Sequence, residues 1–286
     1  MSSQTLSARI ESIAFWASGL PSWEAACAFV ASGALPEAVL PGSAASKPSP
    51  QLLAPNERRR APESVAVALD VALAACVAAG RDPATLPSVF TSTHGDLSIT
   101  DYMCARLTDD PRMISPTKFH NSVHNAAAGY WTIGAGCMQA ANAISAYDAS
   151  FAEGLIDALA QLAEGAGAVL LVGYDTGATG PLRSVHACSG LLGGALILAR
   201  EDAAHPSTGA ARPRIVATLG DGTLGDGNND RSNDRDASAH GALGRYAGGN
   251  AMAPMLPLFD ALATQAPRTA LIAGPGRVLT LDIAYD

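Results

Sequence analysis

The sequence predicts a layered α/β fold, on three observations. Short apolar or β-branched runs alternate with helix-length patterns along the chain, the signature of buried strands covered by helices. Of the 286 residues, 48% are hydrophobic and only 15% are charged. A chain of this length hides roughly 75% of the surface its unfolded form exposes, so a large core is available to one big α/β domain or two smaller units. Alanine is abundant and aromatic residues make up just 5%, which predicts small-residue helices lying close on the sheet.

The strands are read at Ala168–Val172 (AVLLV), Ala195–Ala199 (ALILA), Arg214–Leu219 (RIVATL) and Val278–Ala284 (VLTLDIA). One helix opens at Pro62 and Glu63, repeats apolar residues at Val65, Leu69, Leu73 and Val77, and stops at Gly80. A second opens on the capping-box pattern Ser150-x-x-Glu153 and runs through Leu155, Leu159 and Leu162 to Gly165. Residues 41–61, rich in Pro, Ser and Ala and ending in Arg58-Arg59-Arg60, read as a surface loop. Residues 220–244, dense in Asp, Asn and Gly, read as a mobile polar loop.

Charge and composition remove several functional classes. The 18 Lys and Arg against 26 Asp and Glu give a net charge of −8, which repels a phosphate backbone and argues against nucleic acid as a partner. The N-terminal residues lack an uninterrupted apolar run and the stretch Val65–Ala79 is too short to cross a bilayer, so no membrane span is expected and the chain reads as cytoplasmic. The 5 cysteines are scattered with no C-x-x-C pair, and the 6 histidines include no H-E-x-x-H, so neither a disulfide framework nor a metal or other cofactor is expected. Gly220-Asp221-Gly222-Thr223-Leu224-Gly225 matches a dinucleotide fingerprint, but no amphipathic helix follows to face a pyrophosphate. Asp226, Asn228 and Asp230 alternate as in a calcium loop, yet Arg231 and Ala237 stand where its glycine and glutamate belong.

The informative stretch is Ser115–Asp175. An Asn- and Ala-rich turn leads into a glycine-rich segment, a short run Ala143–Tyr147, the capped helix and an apolar strand. This arrangement delivers one residue to the mouth of a helix, where an anion is favoured by about 0.3–1 kcal/mol and where a thiolate nucleophile is usefully placed.

In this stretch the chain resembles the β-ketoacyl synthases of the thiolase-like superfamily, in which I-S-T-A-C-A-S carries the acyl-accepting cysteine. The matching string is Ile144-Ser145-Ala146-Tyr147-Asp148-Ala149-Ser150, so Asp148 occupies the nucleophile position. SVHNAAAGYWTIGAG matches the preceding turn and AVLLVGYD the following strand. The resemblance is strongest over Val89–Asp175, weaker over Ala195–Leu219, and poor beyond. It implies a thiolase-like αβαβα fold with a truncated C-terminal half: residues 1–210 form the synthase-like N-terminal half and residues 211–286 the shortened remainder.

Two departures shape the functional expectation. A carboxylate cannot take over the thiolate's acceptance of an acyl chain, and loss of a nucleophile costs on the order of 10⁶ in turnover in a protease triad. The synthases also use two C-terminal-half histidines, one in H-G-T-G-T; here His240-Gly241-Ala242-Leu243-Gly244 is a partial likeness with no later histidine. Cys137 lies before the helix and reads as a packing residue. The resemblance is therefore to the short chain length factors of type II polyketide, fatty-acid-like or aryl polyene pathways. These imply a catalytically inactive subunit that pairs with an active ketosynthase, meets acyl carrier protein transiently and shapes the acyl tunnel. Phe119, Ser122, Tyr130, Trp131, Ser145, Tyr147, Asp148 and Phe151 are the tunnel or interface candidates, with no catalytic residue. Two alternatives stand beside this: an acyl-thioester decarboxylase or hydrolase using Asp148 with His120 or His124, and a scaffold binding acyl carrier protein, for which Arg58–Arg60 is the only basic run.

Overall fold

The computed structural model describes residues 5–32, 48–186, 188–202, 212–222 and 241–285. Its strands are β1 (Thr5–Ala17), β2 (Ser88–Thr91), β3 (Ala141–Ile144), β4 (Ala168–Asp175), β5 (Leu192–Ala199), β6 (Arg214–Asp221), β7 (Arg268–Ile272) and β8 (Arg277–Ala284). They form one 8-stranded sheet in the order β3-β2-β4-β5-β1-β6-β8-β7. Only β3, β2 and β4 run parallel to one another; every other pair is antiparallel. Strand β1 joins the two parts of the sheet: Thr5–Arg9 pairs with β6, Arg9–Ala17 pairs with β5, and the register shifts between Ile10 and Ser12.

The helices are α1 (Trp23–Ser32), α2 (Pro55–Arg60), α3 (Glu63–Ala79), α4 (Leu97–Asp109), α5 (Pro116–His120), α6 (Ala126–Ala135), α7 (Ser150–Ala163), α8 (Leu182–Val185), α9 (Ala242–Ala247) and α10 (Leu256–Thr264). One core lies between α3 and α6 and a face of β1, β2, β4 and β5, and includes Trp16, Phe90, Trp131 and Leu170. A larger core forms on the opposite face, where α7 and α10 pack against β1, β4, β5, β6 and β8, and includes Phe15, Leu155, Leu196, Phe259 and Leu281. Helices and sheet therefore alternate in layers. Because β4 and β5 are buried on both faces, their sequences read as continuous apolar runs.

The close packing expected from small residues is explicit at Gly154. A Cβ there would overlap Thr91 Cγ2 and stand 3.2 Å from Leu171 Cδ1, so α7 can rest on β2 and β4 only without a side chain at this position. Gly154→Ala is expected to cost about 1–3 kcal/mol by overpacking, read as a lowered urea midpoint at an unchanged slope.

Several expectations are corrected. The stretch 41–61 is not all loop: Pro55 starts the short helix α2, and the Arg58 guanidinium donates to the Leu53 carbonyl at 3.0 Å. Helix α3 ends at Gly80 in the left-handed conformation as expected, but burial covers far more than one stripe and Val77 points to solvent. The capping box does not form. Ala149 precedes α7, and the Ser150 hydroxyl instead accepts from the Ala146 N–H at 2.9 Å and donates to the Tyr147 carbonyl at 2.6 Å. The 220–244 loop is replaced at its ends by the last residues of β6 and by the start of α9; residues 223–240, with the second half of the glycine motif, the calcium-like run and His240, lie outside the described residues.

Candidate functional site

The site sits where the parallel strands end, the position at which α/β sheets expose loop residues to ligands. Strand β2 delivers Ser92-Thr93-His94, β3 delivers Ser145-Ala146-Tyr147-Asp148, and β4 ends on Asp175.

Asp175 anchors the exit of β2. Its fully buried carboxylate accepts from the Ser92 hydroxyl at 2.7 Å, the Thr93 N–H at 2.8 Å and the His94 N–H at 3.3 Å. Burial raises its pKa from 3.8 to about 6 against the lowering effect of those bonds. The Asn250 amide holds the same corner from the other side, donating to the Asp175 carbonyl at 3.2 Å and the Gly190 carbonyl at 3.1 Å. The exits of β2 and β3 are tied together: Ser145 Oγ donates to the Thr93 carbonyl at 2.9 Å, and Thr93 Oγ1 reaches the Tyr147 carbonyl at 3.4 Å.

Tyr147 and Asp148 lie in a single 3-10 turn, Tyr147–Ala149, immediately before α7. Tyr147 has φ +54, a left-handed conformation that costs a bulky residue about 1–2 kcal/mol and persists only where its surroundings enforce it. Ser150 Oγ and Thr93 Oγ1 reach its carbonyl, and its side chain packs on two histidines. The Tyr147 hydroxyl and His186 Nδ1 are 3.3 Å apart, the Tyr147 ring lies edge-on to His94 and to His186, and the two imidazole centroids are 4.5 Å apart. Burial holds the His94 imidazole below its ordinary pKa, the neighbouring His186 adds to this, and Asp148 pulls the other way.

The sequence-derived candidates fall into separate places. Ser145, Tyr147 and Asp148 meet in this cluster, with Asp148 half-buried. Phe119 and Ser122 are exposed on and just after α5. Tyr130 is half-buried on α6 with its ring edge-on to His120. Trp131 and Phe151 are fully buried core rings, against Phe90 and Phe259 respectively, and present no surface of this chain. The histidines expected to serve Asp148 are also replaced. His120 ends α5 beside Tyr130, and His124 Nε2 lies 2.8 Å from the Ser92 carbonyl, whereas His94 is the imidazole on which the Asp148 charge acts. Cys137 is buried with its thiol on the Leu86 carbonyl at 3.4 Å, a packing contact. Among the described residues no three His, Cys, Asp or Glu side chains are grouped to hold a metal, and no helix is long and apolar enough to cross a membrane.

The family model of the β-ketoacyl synthase N-terminal domain matches residues 36–216, more than half of the chain, and includes His94, Tyr147, Asp148, Asp175 and His186. The chain belongs to the β-ketoacyl synthase family. No curated protein sequence matches it. Solved structures superpose on this family member nearly end to end. A ketosynthase in complex with its chain length factor from Xenorhabdus doucetiae has a TM-score of 0.71 at 21% identity, over 97% of this chain and 99% of that chain. A type II polyketide synthase acyl carrier protein in complex with its hexaketide-bound ketosynthase gives 0.71 at 13% identity, over 99% and 100%. A β-ketoacyl synthase from Burkholderia phymatum STM815 gives 0.63 at 12% identity, over 100% of each chain. The fold of this β-ketoacyl synthase-family chain is accordingly the thiolase-like layered one that its motifs imply.

Proposed function

We propose that this chain is the catalytically silent, chain length factor-type partner of an active β-ketoacyl synthase. The observation that carries the proposal is an open sheet edge beside an apolar surface. Among the described residues, strand β3 ends the sheet and is paired only with β2, which leaves its other backbone edge open. Met138, just before β3, is 94% exposed, and Ile133 on α6, the helix that packs beside β3, is 81% exposed; Phe119 on α5 is 63% exposed. An open strand flanked by exposed large apolar side chains is suited to a lasting protein interface. The family resemblance supplies the occupant, a thiolase-like ketosynthase docking through the same region. In this reading residues 1–210 carry the partner face and the Asp148 cluster, residues 211–286 complete the second part of the sheet, and acyl carrier protein visits the assembled pair.

Silence rests on Asp148. A carboxylate at the nucleophile position cannot form the thioester through which the acyl chain is carried. The partner would hold the chain while this subunit supplies tunnel wall. Asp148→Ala is therefore expected to leave product formation by the purified complex within about twofold, whereas a fall of about 10³ or more would assign Asp148 a catalytic role and refute silence.

A second reading is favoured by one observation, the adjacency of His94, His186 and Asp148. A stand-alone acyl-thioester enzyme would use these groups rather than His120 or His124. Turnover of a malonyl-type thioester by the isolated chain, lost in Asp148→Ala, would establish it in place of the first.

A further inference from the structure

We propose that Tyr147 closes this chain's own acyl entrance, so that an acyl chain is barred from the Asp148 position by a fixed ring as well as by the missing thiol. The inference rests on the reading of Asp148 as standing in the nucleophile's place. It goes beyond that reading by assigning a steric function to the residue before it.

The sequence motif differs from I-S-T-A-C-A-S at this residue too: Tyr147 puts a phenol where the motif has a methyl group. The phenol is held at both ends. Its backbone carbonyl accepts from Ser150 Oγ at 2.6 Å and lies 3.4 Å from Thr93 Oγ1, while its hydroxyl is 3.3 Å from His186 Nδ1. Its ring lies edge-on to two imidazoles from different elements, His94 after β2 and His186 after α8, and packs against the pair, whose own centroids are 4.5 Å apart. Tyr147 is 57% exposed, whereas His94 and Asp148 beside it are half-buried. The ring is thus the outer member of the cluster. A left-handed backbone at φ +54 is an unfavourable setting for a tyrosine, and the hydrogen bonds on either side of the ring keep it there. Confining the acyl chain to the partner's nucleophile follows from such a closure.

The test gives the position a thiol and asks whether the ring still excludes an acyl group. The full-length chain carrying Asp148→Cys is compared with Asp148→Cys/Tyr147→Ala, each incubated with octanoyl-pantetheine. The introduced thiolate attacks the thioester carbonyl, the octanoyl group moves to the protein sulfur, and pantetheine leaves as its thiol; intact mass and peptide mapping count the product. Acylation is expected to be about tenfold or more faster in the double variant. Asp148→Cys/His186→Ala, which releases the ring without altering the motif, is expected to fall between the two and decides the matter if Tyr147→Ala does not fold. Equal rates in all variants, including no acylation in any, overturn the proposal. Acylation or turnover by the unaltered chain would instead sink the silent-subunit reading, so the two failures are distinguishable.

Discussion

Asp175→Ala is expected to destabilise the chain by about 2–5 kcal/mol, because each buried donor left without its acceptor costs about 1–3 kcal/mol and several are stranded together. The substitution removes the only acceptor shown for the Thr93 and His94 N–H groups, and leaves the Ser92 hydroxyl without its carboxylate. These three residues form the exit of β2, so the loss also loosens His94 and, through Thr93, the Tyr147 carbonyl. The pH dependence has a definite sign. The folded pKa of Asp175 is raised from 3.8 to about 6, so the native state binds the proton more tightly than the unfolded chain. Its contribution to stability is fully present below pH 3.8 and is lost as pH rises through about 6. Asp175→Asn, which retains one acceptor oxygen and cannot titrate, should lose that slope, and its deficit against the parent should be about 2–3 kcal/mol smaller at pH 7 than at pH 4. Urea titrations at the two values measure this; parallel curves would show that the carboxylate is not buried as described. His94 works in the opposite sense, since its lowered folded pKa makes stability fall as pH drops through the ordinary histidine range.

Ile133→Arg with Met138→Arg is expected to abolish pairing with the ketosynthase while changing the chain's own stability by no more than about 0.5 kcal/mol per site. Both side chains are almost fully exposed in the single chain, so neither contributes to its cores. Seated against a partner, each arginine would bury an unpaired charge, which costs several kcal/mol, and two such costs exceed what a protein interface tolerates. Size-exclusion chromatography of the co-expressed pair reads the result. An intact complex would place the interface elsewhere on the surface.

Much of the frame was legible in sequence because two-sided burial leaves continuous apolar runs. AVLLVGYD and LGGALILA are such runs in β4 and β5, and α3 carries its own stop at Gly80. β1 is hard to see in the sequence although Leu6, Ala8 and Ile10 alternate, because polar residues between them and the charged pair Arg9 and Glu11 mask the pattern. β2 and β3 have four residues each, too few for a period to emerge. The site was half legible. Asp148 and Tyr147 are legible because their motif is contiguous. His94 and His186 lie far apart along the chain and on unremarkable loops, and only the parallel order β3-β2-β4 carries them to Tyr147. The one local signal was Gly95-Asp96 after His94: a left-handed glycine followed by the cap of α4 marks a sharp turn at a strand end. Trp131 and Phe151 stand out in the sequence by their rarity, and the fold buries both rings in its cores.

Native mass spectrometry of the chain recovered from its source cells under gentle lysis tests the central claim most directly. The account predicts a one-to-one complex with a ketosynthase that has cysteine where this chain has Asp148, and a poorly behaved chain when that partner is absent. A monodisperse monomer or homodimer with no ketosynthase bound would contradict it.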